Sequence, residues 1–182
     1  MKVIAGKLPG VLILGPVIHG DARGFFVEMW NRARYADVGL DVDFVQDNLS
    51  LSAQGILRGL HFQNPNPQGK LVQVLQGEVF DVVVDLRRSS PAFGQWEGVH
   101  LSGETKRQLY VPPGFAHGFA VLSASALFHY KCTATYSPKD EMSLRWDDPD
   151  LDIRWPVDQP KLSAKDQNAP RLRDIPPDRL FS

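Results

Sequence analysis

The sequence predicts an all-β protein, a jelly-roll barrel or sandwich with a few short peripheral helices. Three observations carry that expectation. Several short stretches alternate apolar and polar residues with period two, the pattern of a half-buried strand. Fifteen Gly and 14 Pro punctuate the 182 residues, breaking the chain into pieces too short for long helices. Only two stretches carry a helical pattern. Many short strands with few helices favour a closed or two-layered β architecture, whose inward side chains line one space.

The elements follow in chain order. The apolar run Val11–Leu14, flanked by Gly10 and Gly15, is too short for a signal-peptide core or a membrane span, so the expected location is the cytoplasm. "EMWNRARYADVG" reads as a short helix closed by Gly39. "FVQDNLSL" places Phe44, Gln46, Asn48 and Ser50 on one face of a strand. "ILRGLHFQ" is a strand that carries Arg58 and His61 among leucines. "KLVQVLQGEVFDVVVDLR" reads as two strands about a turn at Gln76-Gly77, with Phe80, Val82, Val84 and Leu86 on one face. "WEGVHL", "RQLYV", "GFAVL" and "ALFHYKCTATY" supply four more. The last puts Phe128, Tyr130, Cys132, Ala134 and Tyr136 on one face and His129, Lys131 and Thr133 on the other. "LSAKDQNA" reads as a short helix capped by Ser163 and stopped by Pro170, and the Pro-broken residues 171–182 as a surface tail.

The length suits one domain, residues 1–182, with a real core. A net charge of −1 excludes a broad nucleic-acid or membrane surface. An anionic ligand would therefore be held by a local cluster of Arg and Lys. Cys132, the one cysteine, leaves no internal disulfide and no multi-cysteine zinc site, and reads as a packed core thiol.

His61 lies near Arg58, Gln63 and Lys70, a basic and polar set on strands that otherwise carry Val and Leu. Burying such groups in a barrel costs several kcal/mol, on the order of the penalty for any unpaired charge, unless a partner meets them. A polar anionic ligand would be such a partner. Strict alternation puts Arg58 and His61 on opposite faces, so a shared site needs a bulge, expected at Gly59. "VPPGFAHGF" matches the P-x-G-x-x-H pattern of cupins at His117. The H-x-H pair of metal-binding cupins is missing, since the earlier strand reads His61-Phe62-Gln63. The fold expectation is thus a cupin-like barrel without a metal site. An inward Tyr130 opposite an inward His61 would set an acid against a base. Asp166 is the natural carboxylate to orient that imidazole. Arg23, beside Phe25 and Phe26 in "GDARGFF", could hold a phosphate next to a stackable ring.

In series, "GDARGFF", "FVQDNLSLS", "LRGLHFQ", "QGKLVQVLQGEVFDVVVDLRRSSPAFGQW", "RQLYVPPGFAHGF", "YKCTATYSP" and "LSAKDQNAP" resemble the dTDP-4-dehydrorhamnose 3,5-epimerase family, in the family's order, over about Val3 to Pro170. The resemblance implies a cofactor-free isomerase of dTDP-rhamnose biosynthesis acting on dTDP-4-dehydro-6-deoxy-D-glucose. It implies His61 as the base at C5 and C3, Asp166 as its partner, Tyr130 as the acid on the opposite face, and Lys70 with Arg58 at the C4 oxygen. It implies Arg23, Gln46, Asn48, Arg58, His117 and Lys165 as contacts for the diphosphate and thymidine, with Phe25 and Tyr136 stacked on the base. It also implies a homodimer that exchanges about residues 1–30, so that Arg23 and Phe25 would serve the neighbouring subunit. Three alternatives stay open at this point: a single-carbon epimerase or ketoisomerase on a dTDP-4-keto sugar, a nucleotide-sugar-binding barrel without turnover, and a metal-dependent cupin oxygenase.

Overall fold

The period-two stretches fold as strands, and the computed structural model describes all residues from Met1 to Ser182. The elements are β1 (Lys2–Ala5), β2 (Leu12–Gly15), β3 (Ile18–Asp21), β4 (Gly24–Val27), α1 (Arg32–Ala36), β5 (Gln46–Ala53), β6 (Leu57–Gln63), β7 (Lys70–Gln76), β8 (Glu78–Asp85), β9 (Trp96–Ser102), β10 (Gln108–Val111), β11 (Phe115–Val121), β12 (Ser125–Cys132), β13 (Glu141–Ser143) and α2 (Ala164–Gln167). They form a six-stranded sheet in the order β1-β2-β10-β7-β12-β5 and a five-stranded sheet in the order β13-β6-β11-β8-β9. The β3–β4 hairpin stands apart. Every pairing between these strands is antiparallel. Two facing antiparallel sheets with few helices are the jelly-roll barrel expected from the sequence. No helix is long and apolar enough to cross a membrane.

The turn at Gln76-Gly77 does not make a hairpin. β7 and β8 belong to different sheets, so the chain crosses the barrel there instead of folding back on itself. Gly77 permits this corner with φ +83 and with no Cβ to meet the Ser125 carbonyl. The two faces of β8 then enter two cores. Val79 and Val83 point into the barrel, where they pack with Val72, Val74, Phe119 and Phe128. Phe80, Val82, Val84 and Leu86 pack on the outer side with Phe62, Leu144 and Ile175.

That outer core exists because the C-terminal segment covers it. Residues 171–182 form two 3₁₀ turns, Leu172–Asp174 and Pro177–Arg179, and Ile175 is buried. The Phe181 carbonyl accepts from Arg88 N–H at 2.8 Å, and Asn64 donates to the Arg179 and Leu180 carbonyls. The segment read as a surface tail is therefore docked against the five-stranded sheet.

Helix α1 covers part of the six-stranded sheet's outer face. Asn31 caps it by accepting from Arg34 N–H. Its Tyr35 is buried and donates to Gln108 at 2.6 Å; Gln108 donates to Gln73, and Gln73 to His129. This polar chain satisfies four side chains in a mostly apolar layer, and burial pushes the Tyr35 hydroxyl up to about 12.

The register of β6 against β11 places the chemistry. His61 pairs with His117 and Arg58 pairs with Phe119, so two residues of β6 (Gly59 and Leu60) oppose one residue of β11, Gly118. This bulge adds one residue to the count between Arg58 and His61, and both side chains consequently face the same way. Gly59 sits at φ +121, and a Cβ there would meet the Gly118 Cα at 2.5 Å and the His117 carbonyl at 2.8 Å. Two glycines are needed for the backbones to approach this closely. Gly59→Ala should lower stability by about 2–4 kcal/mol through strain and overpacking. Urea unfolding would read this directly, and a midpoint equal to that of the parent would show that the bulge tolerates a side chain.

Candidate active site

One cavity of about 460 Å³ opens between the sheets and is walled by both. The five-stranded sheet contributes Arg58 and His61 from β6, and His117 and Phe119 from β11. The six-stranded sheet contributes Lys70 from β7, Phe128 and Tyr130 from β12, and Ser50 from β5. The segment Lys161–Asp166 forms the remaining wall. Arg58, Lys70, Lys161 and Lys165 face this space against the one carboxylate of Asp166. A near-neutral protein thus keeps a local cationic pocket suited to an anion.

Local sequence explains how Asp166 reaches the site. Lys161 is tied to the start of β6 by Leu57 N–H to its carbonyl (3.1 Å) and by its own N–H to Gly55 (2.8 Å). Ser163 then caps α2 by accepting from Asp166 N–H at 3.1 Å. The Asp166 carboxylate, 3% exposed, meets His61 Nε2 at 2.6 Å. Burial pushes Asp166 up, but His61, Ser163 and the Gly59 N–H outweigh it and hold the carboxyl below its ordinary value. His61 itself is 29% exposed at the cavity wall, and its Nδ1 faces no protein acceptor or donor.

Facing this pair, burial raises the Tyr130 hydroxyl, with Arg58 opposing. Lys70 Nζ lies 6.0 Å from the Tyr130 ring centre, and burial lowers its pKa against the pull of Cys132, Asp81 and Glu141. The aromatic rings of Phe119 and Phe128 stack at 4.1 Å across the gap between the sheets, with His117 and Tyr130 flanking Phe128. Arg58 is aimed by its Nε–H bond to Ser52 Oγ at 3.0 Å.

Seven of the twelve residues singled out from sequence line the one cavity: His61, Tyr130, Asp166, Lys70, Arg58, His117 and Lys165. The other five lie elsewhere. Gln46 and Asn48 share the inward face of β5 but bond each other at 3.0 Å, and Gln46 accepts from Tyr136 N–H. Tyr136 does not continue the inward row of β12, because that strand ends at Cys132. It is half exposed and donates to Glu141 at 2.9 Å. Arg23 and Phe25 sit on the exposed β3–β4 hairpin, with Arg23 paired to Asp21 and Phe25 under Lys106 Nζ at 4.5 Å. Within one chain the hairpin does not approach the cavity.

Two acidic residues escaped the sequence reading. Asp81 is fully buried and holds His117 Nε2 at 2.9 Å; burial raises its carboxyl, with His117 and Lys70 opposing. The signal was a carboxylate inside the apolar run "VFDVVV", which such a strand keeps only with a partner. Glu141 pairs with Lys165 and Tyr136 at the rim, where burial pushes its carboxyl up and these two partners hold it below its ordinary value. Nothing in its local sequence marks it. No group of three or more His, Cys, Asp or Glu converges in a metal-binding arrangement.

The lowered Asp166 pKa fixes the sign of a pH effect. Its contribution to stability is complete above the unfolded value, about 3.9, and disappears as pH falls through the lower folded value. Asp166→Asn removes that contribution, so its stability should fall less steeply than that of the parent between about pH 5 and pH 3. Urea midpoints across that range measure the difference, and parallel profiles would place the pKa shift elsewhere.

Comparison with known proteins places the chain among relatives of one kind. A family model described as dTDP-4-dehydrorhamnose 3,5-epimerase matches residues 5–174. The enzyme of that name from Salmonella typhimurium is 55% identical over 175 residues, covering 94% of this chain and 96% of its own. The Legionella pneumophila dTDP-6-deoxy-D-glucose-3,5-epimerase, solved with dTDP-4-keto-L-rhamnose, superposes with a TM-score of 0.96 at 52% identity, covering 99% of this chain and 97% of that one. A 3'-monoepimerase from Streptomyces bikiniensis, solved with dTDP-quinovose, is more distant, with a TM-score of 0.86 at 37% identity over 92% of this chain and 86% of that one. With fold and sequence matching over nearly its whole length, the chain belongs to the dTDP-4-dehydrorhamnose 3,5-epimerase family.

Proposed function

We propose that this cavity converts dTDP-4-dehydro-6-deoxy-D-glucose to dTDP-4-dehydro-L-rhamnose by inverting C3 and C5, with His61 as base and Tyr130 as acid. The observation that carries this reading is the placement of the His61–Asp166 pair and Tyr130 on opposing sheets of one cationic cavity. A proton next to a ketone is acidic because its carbanion spreads onto the carbonyl oxygen. One base on one face of the sugar can remove it, provided a positive charge meets that oxygen. Asp166 engages Nε2, which leaves Nδ1 of His61 to take the proton and supports the imidazolium that results. Lys70, in a site with little water to screen it, stabilises the enolate oxygen at C4 together with Arg58. Return of a proton from the Tyr130 side inverts the carbon. The raised Tyr130 pKa suits this role, because the hydroxyl keeps its proton at neutral pH. Protons leave and return without any change in oxidation state, so the chemistry balances with no cofactor.

The same cationic wall suits the diphosphate, with Arg58 placed to reach both it and the C4 oxygen. Arg58 and Lys165 lie at the cavity, and His117, fixed by Asp81, stands beside them. Gln46, Asn48 and Tyr136 form a bonded group that suits the thymidine. In this reading Arg23 and Phe25 complete the site of a second subunit in a homodimer. Exposed apolar residues on that hairpin (Phe25, Phe26) and on the edge strand β5 (Leu49, Leu51) support such pairing.

Labelling, two single variants and a subunit-mixing experiment test these assignments. In D₂O the parent should place deuterium at both C3 and C5 of the sugar; deuterium at one carbon alone would make it a single-carbon epimerase like its 3'-monoepimerase relative. His61→Ala should stay folded, with a lower melting temperature because the buried Asp166 loses its partner, and lose about 10²–10⁴-fold in turnover. Tyr130→Phe should impair product formation more than proton exchange, and equal losses of the two would remove Tyr130 from the donor role. For the dimer, His61→Ala and Arg23→Ala chains are co-refolded. If Arg23 acts across subunits, the mixture regains sites of parental KM; if it acts within its own chain, no such sites appear.

A further inference from the structure

The inward face of β5 carries only polar residues at alternate positions: Gln46, Asn48, Ser50 and Ser52. Three of the four have protein partners. Gln46 and Asn48 bond each other, and Ser52 accepts from Arg58. Ser50 is different: its Oγ is shielded from solvent and meets no protein donor or acceptor, although the residue forms part of the cavity wall. Its surroundings explain the lack of a partner. Ser50 pairs directly with Phe128 on β12, one step along from the Asn48–Tyr130 pair, and Leu57, Phe119 and Phe128 share that part of the wall. These neighbours offer apolar surface and no hydrogen bond.

A buried hydroxyl without a partner is a stability cost, and an alanine of nearly the same shape would avoid it. Such a group makes sense where its partner arrives with a ligand. We propose that Ser50 is a positioning residue for the sugar ring: turned about χ1 from its shielded position toward the cavity, its hydroxyl bonds a ring hydroxyl of the bound hexose and holds the ring against the sheet that carries Tyr130. This inference rests on the epimerase reading above. Its consequence is geometric: on the same wall as Tyr130, Ser50 sets which carbon stands in front of the acid, while His61 works from the other sheet.

The test uses Ser50→Ala beside the parent protein, with three readings. Melting temperature in the absence of ligand should stay level or rise. The Kd for dTDP, which lacks the sugar, should stay within twofold. The kcat/KM for the sugar nucleotide should fall roughly 5- to 10-fold, the effect of one neutral hydrogen bond. Ser143, the other buried hydroxyl without a partner, supplies a stability comparison through Ser143→Ala. A kcat/KM for Ser50→Ala within twofold of the parent overturns the proposal. So does an equal loss for dTDP and for the sugar nucleotide, which would mark a structural role. Inactivity of the parent itself would instead overturn the epimerase reading, so the two failures are distinguishable.

Discussion

An extra residue in β6, where Gly59 crosses Gly118, is the constraint from which the site follows. Without it, Arg58 and His61 would alternate to opposite sides of their strand. With it, the guanidinium and the imidazole look into the same space, and each is met by a group that needs it there. Asp166 takes His61 from the α2 side, and Ser52 takes Arg58 from β5 on the opposing sheet. The close backbone approach is possible only for a pair of glycines. A local feature of strand geometry therefore decides which side chains can act together.

The charges in the cavity are arranged in pairs that differ in depth. His61 and Asp166 sit at the wall, where the imidazole has access to the ligand. His117 and Asp81 are both buried, with His117 in the cavity wall and Asp81 behind it. Buried ions survive in a small barrel when they are paired and hydrogen-bonded. Lys70 has no carboxylate of its own in contact and is the cation most in need of an anionic partner, which a developing enolate would supply. The net charge of −1 thus coexists with a cationic field concentrated in one place.

Covering segments matter as much as the sheets. Residues 171–182 turn the outer face of β8 into a second core, and α1 seals the six-stranded sheet through the Tyr35–Gln108–Gln73–His129 chain. Both sheets are thereby covered and hydrogen-bonded on their outer sides. Two hydrogen-bonded walls kept at a fixed distance are what a proton transfer from one face and return from the other demand.

The sequence by itself determined the strands, the caps and the chemical types available. The strand patterns located β5–β12, Ser163 marked the start of α2, and the basic residues near His61 announced an anionic ligand. These signals are local, because a strand's pleat and a helix's first turn are set by neighbours in the chain. Tertiary structure decided the rest. Only the sheet order shows that Gln76-Gly77 is a crossing and not a hairpin, since pairing partners come from distant segments. Only the end of β12 at Cys132 takes Tyr136 off the inward row. Glu141 joins Lys165, and Ser50 is left without a partner, through contacts between residues far apart in sequence. Periodicity tells which way a side chain points, but what it points at is fixed by the closing of the barrel.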